Sequence, residues 1–204
     1  MTLLPGILSM AVIVTASNIL VQFPLGYLTW GAFTYPFAFL VTDLTNRLQG
    51  VTAARRVVLA GFATGLVCSI IGTQVMGEFG PLVTLRIAIG SGLAFLVAQL
   101  LDVAVFDRLC GAAWWRAPLI STVVGSTLDT AIFFTIAFSG ALVWLEPGND
   151  VSWASGATPI LGFGPVAPFW VSLAAADLCT KLGIAFLALM PFRLIVAKMT
   201  TRVA

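Results

Sequence analysis

Apolar residues run along this chain in long unbroken stretches, with neither the alternation of a half-buried strand nor the one-sided stripe of a soluble helix. Stretches of about 20 apolar residues cross a bilayer as helices, and the pattern predicts six, near 4–23, 25–44, 57–76, 82–106, 118–145 and 168–192. The second differs from the rest. It contains Pro24, Gly26, Gly31 and Pro36, and its cleanest part, Trp30 to Asp43, extends only about 21 Å as a helix. Pro36 removes a backbone donor in its middle, so a short, kinked or broken helix is expected there. Irregular backbone at membrane depth is tolerated only where it is buried in protein or lines a cavity.

Composition agrees with this reading. Sixty per cent of the 204 residues are hydrophobic, 9% are charged, none is histidine, and the mean hydropathy is +1.07. A soluble domain carries about 25% charged residues. The chain is therefore read as an all-α integral membrane protein forming one domain over residues 1–204. The first apolar run has no Lys or Arg before it and continues through Asn18 and Gln22, which marks a retained helix and not a cleaved signal. Cys68, Cys110 and Cys179 lie far apart without metal-ligand spacing and read as small buried thiols.

The placement of the charges sets an orientation. Arg47, Arg55 and Arg56 follow the second stretch, Arg108 and Arg116 the fourth, and Arg193, Lys198 and Arg202 the sixth. The alternate connections hold Glu78, Glu146 and Asp150 and no Lys or Arg. The positive-inside rule then places both termini in the cytoplasm. The one long connection, 146–167, is rich in Gly and Pro and reads as an external loop, a lid or a re-entrant hairpin. Small residues at helical spacing, Gly61, Gly65 and Ser69, then Gly90, Ala94 and Ala98, serve close helix packing or a contact between copies in a homo-oligomer.

The candidate chemistry consists of polar groups inside the apolar stretches. Asp43, Asp102, Asp129 and Asp177 face only Arg86 and Lys181 there, four acids against two bases. A charge at mid-bilayer costs about 2.5–3.5 kcal/mol on insertion scales, so such groups face the bundle interior. Asp177 and Lys181 are four apart with the acid first, the favourable order for a helical pair. Asp129 has no local cation, so its partner comes from another helix, from a bound molecule or from a proton. Asn18 and Gln22 share a face of the first helix, Gln99 lies one turn before Asp102, and Trp30 and Phe33 head an aromatic run that includes Tyr35. An amide both donates and accepts, and an aromatic face covers a planar ring. Carboxylate, amide and aromatic face together suit a guanine-like base. Residues proposed to bind it are Asn18, Gln22, Trp30, Phe33, Asp43, Arg86, Gln99, Asp102, Asp129, Asp177 and Lys181. Nothing in the pattern calls for a cofactor, a metal or a catalytic group. Gly90-Ser91-Gly92 lacks any histidine as base, and the flanks of Asp129 and Asp177, STLDT and AAADLC, lack a membrane aspartyl protease motif.

Several segments carry a family resemblance: SNILVQFP, TWGAFTYPFAFLVTDLTNRLQG with the following AARR, LLDVAVFDRL, the Trp114, Trp115 pair with AP after it, STLDT and DLCTK. Together they resemble the bacterial queuosine-precursor transporters, also called the vitamin uptake transporter family. The resemblance implies a bacterial inner-membrane protein importing 7-cyano-7-deazaguanine and 7-aminomethyl-7-deazaguanine. Its partners are then a small base and the lipid bilayer, with no nucleic acid. It also implies a fold similar to the substrate-binding subunits of energy-coupling-factor transporters. Such a subunit, dependent on a partner ATPase, is the alternative function. The Ala-x-x-x-Ala docking positions of those subunits are met here by Ala11 and Thr15, which favours a carrier working alone.

Overall fold

The computed structural model describes residues 2–78, 80–111 and 113–200; Arg202 lies outside them. Helices dominate. Helix α1 (Leu4–Leu20) leads through a small hairpin, β1 (Pro24–Leu25) and β2 (Leu28–Thr29), into the short α2 (Gly31–Thr34) and α3 (Phe37–Gln49). Helix α4 (Val51–Gln74) is followed by the hairpin β3 (Met76–Gly77) and β4 (Gly80–Pro81), then α5 (Leu85–Leu109) and α6 (Arg116–Phe138). The long connection holds a 3₁₀ turn (Gly140–Leu145), the four-residue α7 (Ser152–Ser155) and the hairpin β5 (Ala157–Pro159) and β6 (Val166–Pro168) before α8 (Phe169–Thr200).

Among the described residues, α4, α5, α6 and α8 are long and apolar enough to cross a membrane; α1 is apolar but has 17 residues. Burial is inverted relative to a water-soluble protein. Leu59, Leu66, Ile70, Phe186, Leu187 and Leu194 face outward, while Arg86, Gln99, Asp102, Ser121, Ser126 and Thr42 are wholly buried. That arrangement is stable only where the surroundings are hydrocarbon, which makes this a multi-pass membrane protein.

The second stretch breaks where Pro36 predicts. Helix α2 stops at Thr34, Ala38 and Phe39 hydrogen-bond three residues back to Tyr35 and Pro36, and α3 resumes at Phe37. Other boundaries differ from expectation. Helix α1 ends at Leu20 because Pro24 opens a hairpin, and α3 runs on to Gln49 because Asp43 and Asn46 turn inward. Helix α6 ends at Phe138, not 145, where Ser139 adopts an extended backbone and its hydroxyl accepts from Ala141 N. Helix α8 continues past 192 through Pro191. The turn from α3 into α4 is a single residue, Gly50, at φ 84°, a left-handed conformation that glycine adopts at no steric cost.

The small-residue faces pack inside the chain. A Cβ on Gly61 would come within 2.6 Å of Met10 on α1 and 2.8 Å of Phe95 on α5. Gly90 meets Ile136 of α6, and Ala94 and Ala98 are buried on the same side of α5. The thiols are less buried than expected: Cys179 is exposed, and Cys68 and Cys110 are half-buried.

The two ends of the bundle differ in charge. At one end Arg47 donates to Cys110 O (3.0 Å) and the Arg193 guanidinium lies 4.9 Å over the Trp114 ring. The hairpin β3–β4 and the long connection form the other end, with Glu78, Glu146 and Asp150. Asp150 Oδ1 accepts from Ser152 N (2.8 Å), which holds its carboxyl below the usual carboxylate range and keeps it charged.

Candidate functional site

Polar side chains from α3, α5, α6 and α8, with Tyr35 at the Pro36 break, form a column through the bundle. Its spine is one face of α6. Ser121, Thr122, Ser126, Asp129 and Thr130 recur at three- and four-residue spacing and are all buried, as helical periodicity requires. Gly125 sits on the same face. A Cβ there would lie 2.7 Å from Phe39, 3.3 Å from Ala98 O and 3.3 Å from Asp102 Cβ, so its absence brings α6 against α5 beside Asp102.

One part of the column is a closed ionic group. Lys181 Nζ donates to Asp129 Oδ2 (2.6 Å), Asp177 Oδ2 (2.5 Å) and Thr130 Oγ1 (3.1 Å). The Thr130 hydroxyl donates to Asp177 (2.8 Å), and the Tyr35 hydroxyl donates to Asp129 Oδ1 (2.9 Å) with Lys181 Nζ 5.3 Å over its ring. The partner sought for Asp129 is therefore on other helices. Lys181 and Asp177 pair at i,i+4 as their spacing predicts.

The second part is not closed. Asp43 accepts from Ser121 Oγ and Thr122 Oγ1, both at 3.3 Å, and faces Asp102 across α3 and α5. A carboxylate facing a carboxylate has no hydrogen to donate unless a proton is added. Thr42 Oγ1 lies 2.6 Å from Gln99 Oε1. Gln99 Nε2, Asp102 Oδ1, Asp102 Oδ2 and Ser126 Oγ are four of the six buried side-chain atoms, among the described residues, that have no hydrogen-bond partner. Lys181 offsets one of the two acid charges it contacts, and Asp43 and Asp102 are reached by no ion pair among the described residues. Unpartnered buried polar atoms are rare because each loses its hydration without replacement, at about 1–3 kcal/mol.

The other expected residues lie outside the column. Arg86 is wholly buried at the start of α5, where Nε donates to Ile136 O (2.9 Å) and Nη2 to Ser139 O (2.6 Å). It thereby caps the terminal carbonyls of α6, the groups a helix end leaves unsatisfied. Glu146 answers from the other direction by accepting from Leu85 N and Arg86 N. Asn18 Nδ2 is engaged by Val14 O of its own helix (2.9 Å). Trp30 and Phe33 contact each other, 6.0 Å between ring centroids, and are turned outward, Trp30 at 52% exposure.

Gln22 has a different setting. It lines a cavity of about 290 Å³ at the hairpin end, together with Glu78, Thr84, Phe138, Asn149 and Trp153. A much smaller crevice, about 10 Å³, reaches Asp43 and Thr122 between α3, α6 and α8. The first volume is at the lower edge of small-ligand sites, which run from about 300 to 1,000 Å³.

Tyr35, Thr42, Ser121, Thr122, Ser126 and Thr130 belong to the column but were not singled out from sequence. The signal for the α6 residues was present: Thr122, Ser126 and Thr130 repeat every four positions beside Asp129. Tyr35 carries the one phenolic hydroxyl in its aromatic run, but nothing local points to Asp129, 94 positions away, as its partner.

The chain matches the family of putative vitamin uptake transporters over residues 29–196. That window contains the whole column, whereas Asn18 and Gln22 precede it. The chain is 37% identical to the queuosine precursor transporter of Escherichia coli (strain K12) over 194 residues, covering 88% of this chain and 79% of that protein. It is 39% identical to a probable queuosine precursor transporter of Haemophilus influenzae over 154 residues, 62% of this chain and 65% of that one. A probable queuosine precursor transporter of Bacillus subtilis is 35% identical over 144 residues, 58% of this chain and 61% of that one. No solved structure matches.

Proposed function

Because the chain belongs to the queuosine-precursor transporter family, a family of transporters and not of enzymes, we propose that it imports 7-deazaguanine bases across a bacterial inner membrane. The cargo is 7-cyano-7-deazaguanine and 7-aminomethyl-7-deazaguanine. Six crossings carry it, formed by α1, by α2 with α3, and by α4, α5, α6 and α8. Both termini and the arginine-rich end face the cytoplasm.

The observation that carries this reading is the pair Gln99 and Asp102. The edge of a guanine-like base that bears its carbonyl presents one acceptor, then the ring N–H and the exocyclic amine as donors. Gln99 Nε2 offers one donor, and Asp102, whose carboxyl also lies against Asp43 and Ser121, offers acceptors one helical turn along the same face. The two patterns are complementary atom for atom. Asp43, held by Ser121 and Thr122, stands behind Asp102 and adds negative charge. The Lys181 group ties α6 to α8 and to the Pro36 break, so its assigned role is to hold the walls of the route. Arg86 holds the end of α6, and Asn18, Trp30 and Phe33 have no assigned contact with the base.

The test is uptake of radiolabelled 7-cyano-7-deazaguanine by proteoliposomes containing only this protein. Wild type accumulates the base without ATP. Gln99→Leu and Asp102→Asn each lower uptake at low substrate concentration by roughly 5- to 150-fold, the equivalent of about 1–3 kcal/mol for a lost buried partner. Uptake that survives both substitutions would remove these residues from the site. No uptake by wild type would refute the carrier itself.

A further inference from the structure

The cavity at the hairpin end is separate from the Gln99–Asp102 pair. Ile87, which lines it, and Gln99 are both on α5, 12 residues and therefore about 18 Å apart along the helix axis. Its lining has its own chemistry. Phe138 and Trp153 meet edge to face, with ring centroids 5.6 Å apart at 75°. Gln22 contributes an amide, Asn149 spends its amide nitrogen on Thr84 Oγ1 (3.2 Å) and Glu146 Oε2 (3.4 Å), and Glu78, exposed, is the one charged side chain in the lining among the described residues.

The neighbouring acids already have partners: Glu146 accepts from the backbone of Leu85 and Arg86 and from the Asn149 amide, and Asp150 from Ser152. Glu78 is taken up by no ion pair among the described residues. Arg86 is the nearest cation in sequence, and its guanidinium is turned into the carbonyls of α6. The cavity thus combines an aromatic wall, the Gln22 amide that donates and accepts, and one exposed carboxylate that no ion pair among the described residues takes up.

We infer that this cavity is a capture site for planar nitrogenous bases carrying a positive charge, with Glu78 selecting the cation and Trp153 covering the ring. The inference rests on the reading of the preceding subsection that the cargo is a 7-deazaguanine base. Of the two bases named there, the aminomethyl form carries a primary amine, which is protonated at neutral pH as lysine is, and the cyano form is neutral. Glu78 attracts only the former. The other acids of this end add a long-range field of the same sign that concentrates cations at the mouth. Selection between the two bases is therefore made at the entrance, before the base reaches a pair that reads the edge they share.

Competition experiments in proteoliposomes separate this from the carrier reading. Half-saturation concentrations are measured for both bases with wild type, Glu78→Gln, Glu78→Asp and Trp153→Ala. Glu78→Gln is expected to lower the preference for the aminomethyl over the cyano base about fivefold in low salt. The change should shrink in 1 M salt, where the screening length is about 3 Å. Glu78→Asp restores most of the preference. Trp153→Ala raises the half-saturation concentration for both bases by a common factor of about five or more, as loss of a stacking face does. If wild type transports both bases and Glu78→Gln leaves their ratio unmoved, or Trp153→Ala changes neither constant, the capture site falls while the carrier stands. If wild type transports neither, both fall.

Discussion

Lys181 shows what a buried charge contributes in this protein. It is 4% exposed and donates to two carboxylates and a hydroxyl, so each partner replaces hydration that the ammonium has lost. Removing one member of such a group leaves the others charged and unsolvated, at a typical cost of 3–5 kcal/mol. Lys181→Met is therefore expected to lower the midpoint of thermal unfolding in detergent, followed by tryptophan fluorescence, far more than Arg193→Met. In the double variant Lys181→Met with Asp129→Asn, much of that loss should return. Equal melting of Lys181→Met and wild type would show that the group is not closed in the folded protein. Asp177 and Lys181 were legible as a pair because their spacing alone brings them together. Their joining to Asp129 and Tyr35 was not, since Asp129 lies 52 positions from Lys181 and 94 from Tyr35.

At the scale of elements, two residues control how the helices meet. Pro36 divides α2 from α3 and leaves position 36 without a donor. Pro36→Ala restores that donor, and the two helices are expected to join into a straighter one that carries Tyr35 away from Asp129. The gain in helix propensity is offset by loss of the Tyr35 hydrogen bond to Asp129, so stability in detergent should change little while transport falls; full transport by a variant with a continuous helix would deny the break a role. Gly125 fixes the approach of α6 to α5. Gly125→Val would drive methyl groups into Phe39 and the backbone of Ala98, with an expected loss of about 1–3 kcal/mol of stability and a wider separation of Ser126 from Asp102. Unchanged unfolding for this variant would mean that the two helices are more loosely packed. The break at Pro36 could be anticipated from one residue's covalent chemistry. The helix ends at Leu20 and Phe138 could not, because hydropathy does not register capping or hairpins.

For the whole molecule the testable property is orientation. Single cysteines at Ser152, on the hairpin end, and at Thr52, at the start of α4, are both exposed. In a background lacking Cys68, Cys110 and Cys179, an impermeant thiol reagent applied to intact spheroplasts should label position 152. Position 52 should react only after the membrane is opened. The reverse pattern would invert the topology, and labelling of both from outside would contradict the three crossings, α4, α5 and α6, that separate them. The same asymmetry of charge that orients the chain leaves an acidic mouth at one end, so topology and cation capture follow from one distribution of residues.

Membrane class, the proline break, the charge asymmetry and the burial of Asp43, Gln99, Asp102 and Asp129 followed from sequence. Each depends on local quantities: transfer free energy per residue, the missing N–H of proline, or charge counted along a loop. The division of those acids into a self-satisfied group around Lys181 and an open one at Asp43 and Asp102 was decided by tertiary structure alone. So were the capping role of Arg86, the outward turn of Trp30 and Phe33, and the placing of Gln22 in a cavity with Glu78. A hydrogen bond is made over about 3 Å, and which helices come that close depends on how small residues such as Gly61 and Gly125 let their surfaces pack.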